Sequence, residues 1–156
     1  NISSGAAPLF VSGADSEIKR LLSSPQSFEE LHRLVYKYLT QHGDLIAGGG
    51  LHSAYGFSKA CLSAYTVLYA KKYPHLKINA CTPGYIATDM TMPIASLRGE
   101  TPENLGMKSV EHGTIAPLFL LFEALEGNGY FYGSDAKRSP FHEYRSPGSP
   151  AYTPDE

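Results

Sequence analysis

The sequence predicts an α/β fold in which a parallel sheet alternates with amphipathic helices. Three observations carry that expectation. Two short runs, Lys77 to Thr82 and Gly129 to Gly133, read as strands, the first ending at Pro83-Gly84 and the second rich in aromatics. Around them lie segments whose apolar residues recur at helical spacing. The resulting order of strand, helix, strand, helix, strand is that of right-handed crossovers between parallel strands. At 156 residues and 42% hydrophobic content, the chain has the length of one domain and enough apolar material for a core.

Asn1-Ile2-Ser3-Ser4 opens the chain without a methionine and reads as the end of a strand that has lost its beginning. The sequence is therefore expected to be a piece of a longer protein. A Gly/Ala/Pro/Ser loop from Gly5 to Gly13 comes next. Ala14 to Leu22 is expected to form a short helix with Ile18, Leu21 and Leu22 on one side, broken by Ser24-Pro25. Ser27-Phe28-Glu29-Glu30 is a capping box, in which Ser27 bonds the backbone at Glu30 while Glu30 reaches back. The helix it starts carries Phe28, Leu31, Leu34, Val35, Tyr38 and Leu39 on one stripe and fades at His42-Gly43. Gly48-Gly49-Gly50 lacks a preceding strand, a G-x-G-x-x-G spacing and a Walker lysine, so it reads as flexible linker.

The next helix runs from Ser53 to Tyr73, where Pro74 disfavours continuation, with Phe57, Cys61, Ala64, Tyr65 and Leu68 as its stripe. Thr88 to Gly106 shows little regular signal and reads as loop. Ser109 to Leu125 is a further helix, striped by Ile115, Leu118, Phe119, Phe122 and Leu125; Pro117 should bend it, and Gly127 sits where a C-terminal cap belongs. Residues 137–156 hold four prolines and almost no aliphatic residues. They are expected to form a Pro-rich tail, disordered or draped in extended form over the body formed by 1–136.

Composition excludes several classes. A net charge of −2 provides no basic field for nucleic acid or an anionic membrane. No run approaches the roughly 20 apolar residues of a membrane span, and no signal-peptide pattern opens the chain. Two cysteines, Cys61 and Cys81, are too few for a disulfide framework and suit a reducing, cytoplasmic setting as small buried residues. The six histidines show no H-E-x-x-H spacing and the cysteines no C-x-x-C, so no metal site is expected. Gly56-Phe57-Ser58-Lys59-Ala60 resembles a nucleophile elbow only loosely, since it lacks the second glycine and Ser58 falls inside a helix.

The sharpest local feature is Tyr55-Gly56-Phe57-Ser58-Lys59. On a helix this spacing puts both side chains on one face, about 5–6 Å apart at Cβ. An ammonium beside a tyrosine favours phenolate over phenol, which makes the pair a usable general acid/base. Spacing alone is weak, because 11 tyrosines in this composition give about half a match by chance. A second match, Tyr73-Pro74-His75-Leu76-Lys77, serves as a control: Pro74 ends the helix, so its members do not share a helical face.

Order adds what spacing lacks. The chain reads Asn1-Ile2-Ser3-Ser4, then Tyr55-x-x-x-Lys59, then Asn79-Ala80-Cys81-Thr82-Pro83-Gly84-Tyr85-Ile86-Ala87-Thr88. In this it resembles the short-chain dehydrogenase/reductase family, whose downstream half carries these signatures in this order. The resemblance covers residues 1 to about 138 and implies the C-terminal half of a Rossmann-type parallel sheet with flanking helices. Fifty residues separate Ser4 from Tyr55, where most of the family has far fewer. A helical insertion there, about 14–52, together with Ser53-Ala54-Tyr55-Gly56-Phe57-Ser58-Lys59 and Thr88-Asp89-Met90, is similar to the monomeric carbonyl-reductase subgroup.

The resemblance implies an oxidoreductase that reduces an aldehyde, ketone or quinone with NADP(H), NAD(H) remaining open. Ser4 would hydrogen-bond the carbonyl oxygen, Tyr55 would protonate it, and Lys59 would assist Tyr55 and hold the nicotinamide ribose. Pro83 and Gly84 would turn the backbone past the nicotinamide, with Ile86, Ala87 and Thr88 fixing its carboxamide; Tyr85 would border the substrate. It also implies a monomer, because the insertion covers the helix face on which other members dimerise. No glycine-rich dinucleotide fingerprint is present in this stretch. Two other readings stand beside this one: a non-catalytic relative that keeps the fold for binding or scaffolding, and an inactive fragment. Oxidation, or a terpenoid or alkaloid ketone as substrate, would be variants of the enzyme reading.

Overall fold

The computed structural model describes residues 1–41, 54–125 and 127–154. The elements in order are α1 (Ala6–Gly13), α2 (Ser16–Ser23), α3 (Phe28–Gln41), α4 (Ala54–Lys72), β1 (Ala80–Cys81), α5 (Met92–Arg98), α6 (Val110–Phe122), β2 (Phe131–Tyr132) and β3 (Arg138–Ser139). The α/β class is as expected. Segment 1–3 lies parallel to β1: Ile2 bridges Cys81, the Ser3 N–H donates to Cys81 O at 2.8 Å and the Cys81 N–H to Asn1 O at 3.0 Å. β1 pairs parallel with β2, with Ala80 opposite Phe131 and Cys81 opposite Tyr132, and β3 closes the edge antiparallel to β2.

Side chains alternate across this sheet. Ser3 points at α4, where its hydroxyl meets Ser63, while Cys81 and Tyr132 on the other face cluster with Ala116 of α6. The two helices therefore cover opposite faces. On the α4 face, Phe10 and Val11 of α1, Leu21 and Leu22 of α2, Leu31 and Leu34 of α3 and Phe57 and Ala64 of α4 form one buried cluster. Tyr38 stacks on Phe57 at 3.8 Å between ring centroids.

Several expectations hold in detail. The short helix expected over Ala14 to Leu22 forms as α2, capped by Asp15, which accepts the Ile18 N–H at 2.9 Å. Ser27 Oγ accepts the Glu30 N–H at 3.1 Å, although the Glu30 carboxylate reaches one residue further back than a capping box requires, to the Gln26 N–H at 3.0 Å. Others do not hold. The expected loop from Gly5 to Gly13 contains α1: Pro8 sits in its first turn, where its missing N–H has no helical partner to lose, and Ala7, Phe10 and Val11 bury against α4. The expected loop from Thr88 to Gly106 contains α5, with Pro93 in the first turn and Gly99 ending it in the left-handed region at φ 64°. Leu39, placed on the buried stripe of α3, is exposed.

The stripe of α6 buries only in part, with Phe119 packed on Tyr132 at 5.6 Å between centroids. Ile115, Leu118 and Phe122 are exposed, and of this helix Ala116 alone is buried among the described residues. Residues 137–154 are draped over the sheet edge and include β3. The Arg145 guanidinium pairs with Asp135 and donates to Ser139 Oγ at 2.9 Å and Ser149 O at 2.8 Å, which pins that segment to the turn after β2. Gly48-Gly49-Gly50, the fading of α3 at His42-Gly43, the helix start at Ser53 and the 42–52 part of the expected insertion lie outside the described residues.

Candidate functional site at the carboxyl ends of the strands

α4 runs against segment 1–3 with a regular register. Asn1 Nδ2 donates to Thr66 Oγ1 at 2.8 Å, Ser3 Oγ donates to Lys59 O at 3.1 Å, and Ser63 Oγ donates to Ser3 Oγ at 2.8 Å. Each step along the segment toward Ser4 thus moves toward the N-terminus of α4, the turn that holds Tyr55 and Lys59. There the Lys59 ammonium donates to Ile2 O at 3.1 Å and stands 5.8 Å from the centre of the Tyr55 ring. Tyr55 is 48% exposed, so its phenol opens to solvent at the sheet's carboxyl edge.

Ser4 lies two residues beyond the carbonyl that Lys59 holds. It is half-buried, and its Oγ accepts the Ala6 N–H at 3.1 Å at the entry to α1. The end of β1 is tied to the same corner by Thr82, whose Oγ1 accepts the Gly5 N–H and the Gly84 N–H, both at 3.1 Å. Pro83 and Gly84 are thereby brought beside the residue that follows Ser4. Gly84 has φ +98°, a backbone that favours glycine, and a Cβ there would lie a tight 3.1 Å from Ser134 Cβ.

Beyond Gly84 the chain carries the remaining predicted residues. Tyr85 is exposed, and the Lys108 N–H donates to its carbonyl at 2.8 Å. Ile86 buries its side chain against Gly113 of α6, while its carbonyl accepts the Thr91 hydroxyl at 2.5 Å. Ala87 donates its N–H to Lys108 O at 2.9 Å. Thr88 is exposed, and its N–H donates to Thr91 Oγ1 at 3.0 Å. The control pair shares no helix, as expected: Tyr73 lies past the end of α4, its ring tilted against Tyr69 at 5.5 Å between centroids and its carbonyl closing a turn to the Leu76 N–H at 3.0 Å.

Four residues beyond the expected site residues organise this corner. Ser3 and Ser63 are buried and join across 60 positions of sequence. Thr82 and Thr91 use one hydroxyl each to hold two loop segments. Such roles depend on long-range placement, and serine and threonine are too common for a pattern to mark them. The Tyr55, Lys59, Ser63 succession at every fourth residue is the one cue that would have found Ser63.

The thiols take no part. Burial pushes Cys61 up to about 12 and Cys81 up to about 11, which keeps both protonated and inert near neutral pH. Among the described residues no group of three or more His, Cys, Asp or Glu side chains is placed to hold a metal ion, and no described helix is long and apolar enough to cross a membrane.

No family model matches the chain. It is 28% identical over 152 residues to carbonyl reductase (NADPH) 1 of Rattus norvegicus, covering 90% of this chain and 51% of that protein. It is 36% identical over 81 residues to short-chain dehydrogenase/reductase 1 of Saponaria officinalis, covering 51% of this chain and 23% of that protein. A (+)-neomenthol dehydrogenase of Arabidopsis thaliana is 40% identical over 68 residues, 44% of this chain and 19% of that protein. The chain thus spans about half the length, or less, of these curated relatives. With the serine that follows segment 1–3, its helical tyrosine and lysine one turn apart and its Pro-Gly turn after β1, the chain is similar over part of its length to members of the short-chain dehydrogenase/reductase family.

Proposed function

We propose that the protein reduces the carbonyl of a small aldehyde, ketone or quinone to an alcohol with NADPH, Tyr55 acting as the general acid. One observation carries this reading: Lys59 is bonded to Ile2 O and stands over the Tyr55 ring, so phenol, ammonium and the strand end that bears Ser4 share one corner. Open α/β sheets take their ligands at that edge.

The chemistry follows from the bonds each group has left. Ser4 Oγ already accepts the Ala6 N–H, so its own proton is directed to the substrate oxygen. Tyr55 transfers its phenolic proton to the same oxygen. Lys59 commits one N–H to Ile2 O, and its other two would be available to the ribose hydroxyls of the cofactor. Gly84, at φ +98°, turns the backbone at the end of β1, and Pro83 and Gly84 would there border the nicotinamide end of the cofactor. The nicotinamide ring, when bound, supplies the hydride. Ile86, Ala87 and Thr88 continue the same wall, and Tyr85 borders the substrate.

The NADPH assignment draws support from the rat relative and from a second carbonyl reductase (NADPH) 1, of Macaca fascicularis, at 30% identity over 109 residues. We place the protein in a reducing, cytoplasmic compartment, which its two free cysteines support. We assign it as a monomer because α2 and α3 occupy a face of α4. The test is Tyr55→Phe in the full-length protein, followed by NADPH oxidation. Loss of the acid is expected to lower kcat by about 10²- to 10⁴-fold with NADPH affinity nearly unchanged. Turnover at the unsubstituted rate would overturn the assignment.

A further inference from the structure

Gly5 has an ordinary helical backbone, φ −60° and ψ −20°, that any residue can adopt. Space is what restricts it: a Cβ there would lie 3.0 Å from Cε2 of Tyr144. An aromatic ring from the C-terminal segment therefore lies against the residue that follows Ser4. Gly5 is in turn bound through Thr82 Oγ1 to the Gly84 turn, so the ring sits at the convergence of the strand ends.

The segment that brings Tyr144 there is held on both sides. Before it, Phe141 packs on Phe131 at 5.9 Å between centroids. After it, the nearly buried Arg145 pairs with Asp135 in the turn following β2, and Asp135 also accepts the Gly148 N–H at 2.9 Å. A side chain carried between two such anchors keeps its place without a ligand. Tyr144 is still 41% exposed, so one side of the ring rests on Gly5 and the rest is open to solvent.

We propose that Tyr144 is a specificity-determining residue: its ring forms a fixed wall on the substrate side of Ser4 and selects carbonyl compounds that bear a ring of their own. The proposal rests on the reductase reading of the site. An aromatic edge with a polar tip suits a flat cyclic ligand, which gains offset or edge-to-face contact. A short aliphatic aldehyde reaches Ser4 without touching the wall.

The test compares a quinone, menadione, with a short aldehyde, propanal, as substrates of the full-length protein and NADPH. Tyr144→Ala is expected to raise KM for menadione at least fivefold while kcat/KM for propanal and KM for NADPH stay within twofold. Tyr144→Phe, which keeps the ring, should restore the menadione KM. Parallel losses on both substrates would assign Tyr144 a merely structural role, and an unchanged ratio would remove it from the site; either overturns the wall. Tyr55→Phe separates the two claims. If it abolishes reduction of both compounds while the Tyr144 ratio does not move, the wall fails and the reductase reading stands. If it leaves reduction intact, or if the unsubstituted protein reduces neither compound, both fail together.

Discussion

The two faces of the sheet are finished differently. On the α4 face, helices α1 to α4 enclose Leu22, Phe57 and Ala64, each almost wholly buried. On the α6 face, Leu121 is 73% and Phe122 78% exposed, and the cluster is limited to Cys81, Ala116 and Tyr132 with their partly buried neighbours. Both faces have helices rich in apolar residues, so composition does not distinguish them. The difference is that the chain itself supplies a second layer of helix over α4 and none of the described residues does the same for α6. The candidate site draws on both: Tyr55, Lys59 and Ser4 belong to the packed face, while Ile86 leans on Gly113 of α6.

The largest effect should therefore come from the packed face. Phe57 stacks on Tyr38 and meets Phe10 at 5.5 Å between centroids. Phe57→Ala is expected to lower the unfolding free energy by about 4 kcal/mol, the sum of lost transfer energy and the cavity left behind. Denaturant titration measures it. A cost below about 1 kcal/mol would mean that this face is no better packed than the other.

A smaller effect tests how the C-terminal segment is fastened to this face. Burial on its own would raise the Asp135 pKa, but the Gly148 N–H, the Arg145 guanidinium and the Lys137 N–H outweigh it and hold the carboxyl below its usual range. A group depressed in the folded state contributes stability above its unfolded value, about 3.9, and loses that contribution as pH falls through the folded value. Acidification below about pH 4 should thus loosen residues 141–149, seen as faster amide exchange there before the rest of the molecule opens. Asp135→Asn should cost about 2 kcal/mol at neutral pH, because Arg145 keeps its other acceptors, and should remove the acid-dependent step. Equal exchange in both proteins at low pH would show that the pair is not what fastens the segment.

This contrast also explains how far the sequence could be read. α3 was legible because a capping residue and a stripe at helical spacing agree, at Ser27 and Phe28, and α2 and α4 were legible through their stripes. α1 was not, because Gly5, Pro8, Ser12 and Gly13 signal turns around the helix-favouring Ala6 and Ala7, and Phe10 and Val11 find their burial against α4. α5 is seven residues long with one buried residue, Ala95, too short for a period to register. The Tyr55 and Lys59 pair was visible through local spacing, whereas Ser3, Thr82 and Tyr144 act through contacts that only the fold creates. The α6 stripe shows the remaining limit. Periodicity reports that a helix has an apolar side, and says nothing about whether anything lies against it.

The smallest expected effect is the one that can break the comparison. Leu121 sits on the exposed side of α6, and leucine and glutamine have nearly the same helix propensity. Leu121→Gln therefore removes apolar surface without disturbing the helix, and on an exposed face it should change stability by no more than about 0.5 kcal/mol. A contiguous exposed apolar patch favours association, so the same substitution should also raise solubility. If the full-length protein instead lost several kcal/mol on this change, Leu121 would be buried there against something other than the described residues. The contrast between the two faces would then belong to this stretch of chain, and the whole protein would bury both.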